Sequence, residues 1–280
     1  MTDFRTIPLG NDFAFAEVMR DAETCQYFLE AVLNLKIRHI EYIDKQKDLS
    51  DSYDAHGIRL DVYVEDDAGI VYNVEVQNRR ESFKRIRYYQ SGMDRRLLEK
   101  GDGYRNLRRT YIIFVCNYDP AGKGYPLYRR ECVLTSPAGN TEYDDESYCI
   151  FLNAKYKEVY RNDMPEVCEF LDLINREQEI DEADYETRLG QKAAAGLRLL
   201  RKDEQRRIAY MTFEQKLKDE AYYAREEGLK EGLEKGRAEG KAEGKAEGKA
   251  EGVAETQERL IRKLMEVQSL TREEAERILS

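Results

Sequence analysis

The fold of this chain is decided by Arg59-Leu60-Asp61-Val62-Tyr63-Val64, by the turn Asp66-Asp67-Ala68-Gly69 and by Ile70-Val71-Tyr72-Asn73-Val74-Glu75-Val76-Gln77. Side chains point alternately to the two faces of a β-strand, and in both stretches the residues of one face are strongly apolar. The alternation and the turn predict a β-hairpin whose apolar face packs against a core. The other face is polar, and its chemistry gives the first indication of function.

The polar face of the predicted hairpin carries Asp61 on the first strand and Asn73, Glu75 and Gln77 on the second. With one residue of bulge at the turn, Asp61 is expected to lie across from Glu75. Two carboxylates that converge beside an amide can hold a hard divalent cation. The same alternation also suits an ordinary one-sided antiparallel sheet with a solvated outer face. The hairpin alone leaves both interpretations open.

Composition restricts the classes of protein to consider. The 280 residues include five widely spaced cysteines, two histidines and no Cys-x-x-Cys. A disulfide framework, a zinc knuckle and a His-rich metal site are therefore not expected, and the thiols are predicted to be reduced in the cytoplasm. No apolar run follows Met1 or approaches the about 18 residues of a membrane span, so we expect neither a signal peptide nor a membrane protein.

A basic segment follows the hairpin directly. Residues 79–109 contain eleven Lys or Arg against four Asp or Glu, a local charge of +7 in a chain of net charge −10. Basic side chains neutralise phosphates, so this charge beside a predicted metal site suits a phosphodiester substrate. The alternative is an exposed amphipathic helix that is basic by chance. Its large side chains are expected in the core: Tyr88, Tyr89, Leu97 and Leu98.

Hydrophobic periodicity predicts a mixed α/β domain over residues 1–178. Helices are expected after Asn11, over 24–33, over 83–98 and from Pro165, and the apolar run 111–116 predicts a buried central strand. Beyond this domain the chain becomes helical and highly charged. We expect a charged helical segment at 179–227, a repeat at 228–255 and short helices at 256–280.

Glycine recurs at every fourth position from Gly228 to Gly252 within a Glu-Gly-Lys-Ala repeat. Each Gly costs a helix about 1 kcal/mol relative to Ala, so an isolated helix here should be weak. Two such helices could set a Glu row against a Lys row, with Gly and Ala allowing close approach. The repeat predicts either a self-association stalk, which would make the protein a homo-oligomer, or a solvated low-complexity linker.

Several motifs occur in a recognisable order. They are Asn11-Asp12-x-Ala14-Phe15, Leu60-Asp61-Val62, Glu75-Val76-Gln77, Arg85-Ile86-Arg87-Tyr88-Tyr89-Gln90 and Asp119-Pro120-x-Gly122-Lys123-Gly124, followed by the Glu-Gly repeats. Together they cover about residues 8–250, and the chain resembles the PD-(D/E)XK nuclease family transposases, also called the Rpn family of recombination-promoting nucleases. The resemblance implies an α/β restriction-endonuclease-like core, a central mixed sheet flanked by helices, followed by a charged helical C-terminal extension.

The resemblance also implies that the protein cuts DNA with a divalent metal, usually Mg²⁺, with Mn²⁺ or Ca²⁺ as alternatives. Asp61 and Glu75 would be metal ligands, and Asp12 would complete the metal shell. Gln77 stands where the wider superfamily has Lys, and glutamine can only hydrogen-bond. Activation of water would then depend more on the metal and on Arg85. Contacts to DNA are expected from Arg79, Arg80, Lys84 and Arg87.

A metal-dependent DNA endonuclease, linked by resemblance to recombination or mobile elements, is the favoured prediction. The alternative is a catalytically weak or inactive nuclease-fold protein that binds DNA or protein and self-associates through its repeat. An unrelated scaffold with a coincidental hairpin is the third class. For the enzyme, Asp61→Ala and Glu75→Ala are expected to abolish cutting without loss of fold, because both side chains are predicted to lie off the core face.

Overall fold

The computed structural model describes residues 3–42, 62–98, 100–268 and 271–279. The chain divides into two compact units, Met1–Met211 and Thr212–Ser280. The first unit holds a mixed β-sheet with helices against both faces, and the described part of the second unit is helical. These features confirm the predicted α/β fold with a charged helical extension. Asp61 lies outside the described residues, so its predicted position opposite Glu75 stays a prediction.

Eight strands are described in the first unit. They are β1 (Ile40–Tyr42), β2 (Val62–Asp66), β3 (Val71–Gln77), β4 (Thr110–Cys116), β5 (Leu127–Arg129), β6 (Val133–Ser136), β7 (Gly139–Glu142) and β8 (Ser147–Asn153). Six of them form one sheet in the order β1-β2-β3-β4-β8-β5, and β6 and β7 form a separate ribbon. The central strands β3, β4 and β8 run parallel, whereas β1–β2, β2–β3 and β5–β8 are antiparallel pairs.

The helices that begin in the first unit are α1 (Asp12–Val18), α2 (Ala22–Leu33), α3 (Lys84–Leu97), α4 (Pro165–Asp172), α5 (Arg188–Lys202) and α6 (Glu204–Gln268). The predicted start of α1 is confirmed, since the Asn11 side chain accepts hydrogen bonds from the backbone N–H of Phe13 and Ala14. Such an N-cap satisfies donors that the first helical turn leaves unpaired. Pro165 stands at the start of α4, where its missing N–H costs nothing.

The hairpin that decides the fold is formed by β2 and β3. Val62 lies opposite Val74, and Val64 lies opposite Tyr72. The turn closes through a hydrogen bond from the Gly69 N–H to the Asp66 carbonyl, with Gly69 at a φ of 78°. Glycine adopts this left-handed conformation without the Cβ clash that other residues meet. The predicted hairpin is therefore confirmed over the residues that are described.

Both faces of the sheet are buried. The larger core lies between one face and helices α1, α2, α4 and α5, and a second core lies between the other face and α3. The polar side of β3 faces this second core, with exposures of 0% for Asn73, 2% for Glu75 and 6% for Gln77. The interpretation that the polar face of the hairpin is solvated is therefore wrong for β3. The physical reason is that β3 and β4 are parallel, and the crossover between parallel strands places a helix on the sheet.

Helix α3 contacts the sheet through Ile86, Tyr89 and Met93, which are buried. Tyr88 is 45% exposed, so its predicted place in the core is wrong. Successive residues of an α-helix point about 100° apart. Because Tyr89 belongs to the buried face of α3, the adjacent Tyr88 points away from the sheet. Tyr89 is only 3% exposed, as predicted.

The first turns of α6 belong to the core of the first unit. Tyr210 is 3% exposed and its ring lies 5.5 Å from the rings of both Phe4 and Phe13. Just before α6, the Arg201 guanidinium donates hydrogen bonds to backbone carbonyls of two segments far apart in sequence, including those of Ile7 at 3.0 Å and Gln178 at 2.6 Å. The N-terminal segment is thereby fixed against α5.

In the second unit the Glu-Gly-Lys-Ala repeat is part of α6, which is followed by α7 (Arg272–Leu279). A Cβ added to any repeat glycine from Gly228 to Gly252 would meet nothing within 4 Å. Helix α7 begins with a capping box: the Glu274 carboxylate accepts from the Thr271 N–H at 2.9 Å, and the Thr271 hydroxyl accepts from the Glu274 N–H at 3.4 Å. The finer division of the chain at residues 178, 227 and 255 stays a prediction.

Two further expectations concern the chain as a whole. The five cysteines are free, and burial raises the pKa of the Cys25, Cys116 and Cys149 thiols to about 12, so these thiols are unreactive at neutral pH. Among the described helices, none combines the length and the apolar composition needed to cross a membrane.

Replacing Asn73 should stabilise the protein. Asn73 is fully buried, and both polar atoms of its amide have no hydrogen-bond partner among the described residues. We expect Asn73→Val to raise the free energy of unfolding by about 1 kcal/mol, since a buried amide without a partner is unfavourable and Val suits a strand. Urea denaturation measures the change.

The matched control is Asn153, which is also fully buried on a central strand but has its amide paired with the Tyr125 carbonyl and the Lys155 N–H. Asn153→Val should lower the free energy of unfolding by about 1–3 kcal/mol. A destabilised Asn73→Val protein would contradict this prediction.

Candidate active site

Glu75 is the buried carboxylate around which the candidate site is built. It lies on β3 with an exposure of 2%, on the face that α3 covers. A carboxylate in such a place is stable only if hydrogen bonds or opposite charge compensate for the water it has lost. Helix α3 supplies both kinds of compensation.

Arg85 and Tyr89 meet Glu75 from one face of α3. They are four residues apart, the spacing that places two side chains side by side on a helix. The Tyr89 hydroxyl donates to Glu75 Oε2 at 3.1 Å and accepts a hydrogen bond from Arg85 Nη2. Arg85 Nη2 itself is 3.8 Å from Glu75 Oε2, so the hydroxyl links the guanidinium to the carboxylate.

The electrostatics of this group are consistent with its geometry. Burial and then the Glu75 carboxylate raise the pKa of Tyr89, which keeps its hydroxyl protonated and able to donate. Burial acts to lower the pKa of Arg85, but the hydrogen bond to Tyr89 and the charge of Glu75 outweigh it and raise that pKa. The carboxylate therefore faces a permanent positive charge through a neutral hydroxyl.

Gln77, the last residue of β3, has a different partner. Its Oε1 accepts a hydrogen bond from the Tyr118 hydroxyl at 3.3 Å, and its backbone carbonyl accepts from the Asn117 N–H. Burial raises the pKa of Tyr118 to about 12, so this hydroxyl also stays protonated. The amide of Gln77 is thus oriented by the segment that follows β4, at the carboxyl edge of the parallel strands.

Asp12 approaches the same edge of the sheet from α1. The Asn78 amide donates to Asp12 Oδ1 at 3.3 Å and to the Gly10 carbonyl at 2.8 Å. Asn78 directly follows Gln77, so this contact ties the start of α1 to the end of β3. Asp12 is exposed, in contrast to Glu75 and Gln77.

Three described side chains near the carboxyl end of β3 carry oxygen donors. Glu75, Gln77 and Asp12 offer only oxygen donors, which is the chemistry that Mg²⁺, Mn²⁺ and Ca²⁺ prefer. Within the described ranges no three His, Cys, Asp or Glu side chains are grouped closely enough to hold a metal. The donor chemistry fits a hard divalent cation, and a complete ligand set requires a further acid such as Asp61.

The basic residues predicted to contact DNA differ in their surroundings. Arg79, Lys84 and Arg87 are exposed. Arg80 is also exposed, but its guanidinium donates to the Asp119 carbonyl at 2.8 Å and lies 5.6 Å from the Tyr118 ring centre. Arg80 therefore also holds the loop after β4.

Three residues of the site were missed by the sequence analysis. Tyr89 was predicted in the core without a contact to Glu75, and Asn78 and Tyr118 were given no role. The spacing of Arg85 and Tyr89 on one helical face could have indicated a joint contact. No sequence pattern could have indicated Tyr118, because its approach to Gln77 depends on the pairing of β3 with β4.

Comparison with known proteins agrees with this architecture. No curated protein matches the chain, and no solved structure matches it. The family model described as PD-(D/E)XK nuclease family transposase matches residues 9–227, which include α1, the β2–β3 hairpin, α3 and the whole of the mixed sheet. The chain therefore belongs to the PD-(D/E)XK nuclease family transposases.

Proposed function

We propose that this protein is a divalent-metal-dependent DNA endonuclease. The observation that carries the proposal is the buried Glu75 carboxylate. Tyr89 and Arg85 hold it near the carboxyl end of β3, the strand that also carries Gln77. Membership of a nuclease family supports DNA as the substrate and a role associated with recombination. PD-(D/E)XK nucleases typically use divalent metals, and the oxygen donors present favour Mg²⁺, with Mn²⁺ or Ca²⁺ as alternatives.

In this proposal Glu75 and Asp61 hold the metal, and Asp12 supports the metal shell. Asp61 directly precedes Val62, whose partner Val74 directly precedes Glu75. When bound, a divalent cation would polarise the scissile phosphate and lower the pKa of an attacking water.

Two neighbouring side chains, Arg85 and Gln77, would act on the phosphate and on the attacking water. Arg85 would neutralise charge that develops on the phosphate, because its side chain is 38% exposed and its charge is permanent. Gln77 would orient the attacking water by hydrogen bonding, since an amide carries no charge.

The second candidate is a catalytically weak or inactive relative that binds DNA. Two observations favour it: Gln77 offers no positive charge, and Arg85 already lies 3.8 Å from the carboxylate that would hold the metal. An activity assay separates the two candidates.

The free, largely buried thiols suit a reducing compartment, and we propose a cytoplasmic location on that ground.

The endonuclease should nick supercoiled plasmid only when a divalent metal is present. We expect cutting with Mg²⁺ or Mn²⁺, no cutting in EDTA, and a loss of at least about 100-fold in Glu75→Gln and in Asp61→Asn, because each removes a charged metal ligand. Gel analysis of the plasmid measures the rate. Cutting by Glu75→Gln at the wild-type rate would contradict the assignment.

Glu75→Gln is a better test than Glu75→Ala. Alanine would leave the buried Tyr89 hydroxyl without its acceptor, at a cost of about 1–3 kcal/mol, whereas glutamine can still accept that hydrogen bond. The prediction that Glu75→Ala leaves the fold intact assumed that Glu75 lies off the core, whereas the side chain is 2% exposed. We therefore expect Glu75→Ala to destabilise the fold. Wild-type protein that is inactive with every metal would favour the DNA-binding candidate.

Binding of DNA should depend on the exposed basic side chains of α3. We propose that Lys84 and Arg87, with Arg79 and Arg80, contact phosphates. Each lost phosphate contact reduces the slope of log K against log salt by about 1, so the double variant Lys84→Ala/Arg87→Ala should reduce it by about 2. Fluorescence anisotropy of a labelled duplex at several salt concentrations measures the slope.

The control for this experiment is Lys36→Ala, which removes an equally basic side chain that is 94% exposed. It should leave the slope within error of the wild type. A slope unchanged in the double variant would remove α3 from the proposed DNA interface.

We also propose that α6 associates with a second copy of the chain. Among the described residues, a Cβ added to any repeat glycine would meet no atom within 4 Å beyond the neighbouring helix backbone, and Leu229 and Leu233 are each 72% exposed one helical turn apart. Glycine is unfavourable in a helix, and its advantage is to let another backbone approach closely. The Glu and Lys rows of the repeat are complementary in charge between two copies.

Substituting the repeat glycines distinguishes a self-association stalk from a solvated linker. In Gly236→Ala/Gly240→Ala/Gly244→Ala, alanine should raise the helix content but reduce the oligomeric mass, because added methyl groups prevent close approach. Circular dichroism and light scattering measure the two quantities. Deleting 228–252 should also lower the mass. A mass unchanged in both variants would refute the stalk.

A further inference from the structure

Tyr89 has a position in this molecule that its hydrophobic surroundings do not explain. Its hydroxyl lies between two charged groups, accepting from Arg85 Nη2 and donating to Glu75 Oε2 at 3.1 Å. The direct separation of Arg85 Nη2 and Glu75 Oε2 is 3.8 Å, longer than a hydrogen bond. The hydroxyl therefore takes the place of a direct hydrogen bond between arginine and glutamate.

The ring of Tyr89 contacts two further side chains, Phe114 and Arg85. It packs edge-on against Phe114 with ring centres 6.0 Å apart, and the Arg85 guanidinium lies 4.9 Å from its centre. The ring is 3% exposed and packs in the core between α3 and the sheet. Because the ring is fixed, the direction of its hydroxyl is fixed as well, and so is the carboxylate oxygen that accepts from it.

Arginine and carboxylate groups commonly form a bidentate pair in which two N–H donors take both oxygens. Here both contacts of the α3 side chains fall on Oε2. We infer that Tyr89 is a positioning residue: its hydroxyl holds Glu75 in one orientation and keeps Arg85 from forming a bidentate pair with it. This inference rests on the proposed function, in which Glu75 is a metal ligand.

Residues that orient a ligand contribute strongly to metal affinity, and their loss typically weakens it about 10- to 100-fold. Tyr89→Phe keeps the ring and removes the hydroxyl, so Arg85 can close on the carboxylate. We expect the affinity for Mn²⁺, measured by titration calorimetry without DNA, to fall about 10-fold or more. The Mn²⁺ concentration for half-maximal nicking should rise by the same factor, with a smaller change in the rate at saturating metal.

The matched control is Tyr63→Phe. Tyr63 is buried on the same face, and its hydroxyl has no hydrogen-bond partner among the described residues. This variant should bind Mn²⁺ as the wild type does. A purely structural Tyr89 would predict a lower melting temperature in Tyr89→Phe with unchanged Mn²⁺ affinity, and that result would overturn the inference.

Phe114→Leu provides a second test should Tyr89→Phe fail to fold. It loosens the tyrosine ring but keeps the hydroxyl, so the inference predicts a weakening of Mn²⁺ binding smaller than that in Tyr89→Phe, whereas unchanged binding would overturn it. Wild-type protein that binds no Mn²⁺ would refute the proposed function, and the inference with it. Wild-type binding together with equal binding by Tyr89→Phe would refute the inference alone.

Discussion

The burial of β3 on both faces is the constraint on which the rest of the structure depends. Its antiparallel pairing with β2 completes the hairpin, and its parallel pairing with β4 requires a connection that crosses the sheet. Helix α3 is that connection, and it covers the polar side of the strand. Glu75 consequently lies between two layers rather than at a surface, and its charge has to be compensated by side chains of α3.

Much of the fold could be predicted from the sequence because local patterns determine it. The alternation in β2 and β3, the apolar run of β4 and the start of α1 at Asn11 each depend on a few neighbouring residues, and the structure confirms them. The covering of the outer hairpin face could not be predicted in the same way. It depends on the order of strands in the sheet, which no local pattern contains.

The candidate site shows the same limit. Alternation placed Asn73, Glu75 and Gln77 together on one side of β3, and they lie there. The partners of Glu75 and Gln77 were not predicted, because a tyrosine in a helical pattern is counted as apolar although its hydroxyl must still find a partner when buried. Tyr88 and Tyr89 show this limit. Tyr88 was predicted in the core but is exposed, and Tyr89 is buried as predicted, but the hydrogen bonds of its hydroxyl were not predicted.

The continuity of α6 has a consequence for how the glycine repeat becomes ordered. Starting a helix is the unfavourable step, and each later residue adds one hydrogen bond to a structure that already exists. The first turns of α6 are formed by packing of Tyr210 against Phe4 and Phe13, and the same helix then runs on to Gln268. The repeat thus continues a helix whose first turns are already packed in the core of the first unit. Without those turns, the unfavourable starting step would have to occur within the glycine-rich repeat itself, where helix propensity is low.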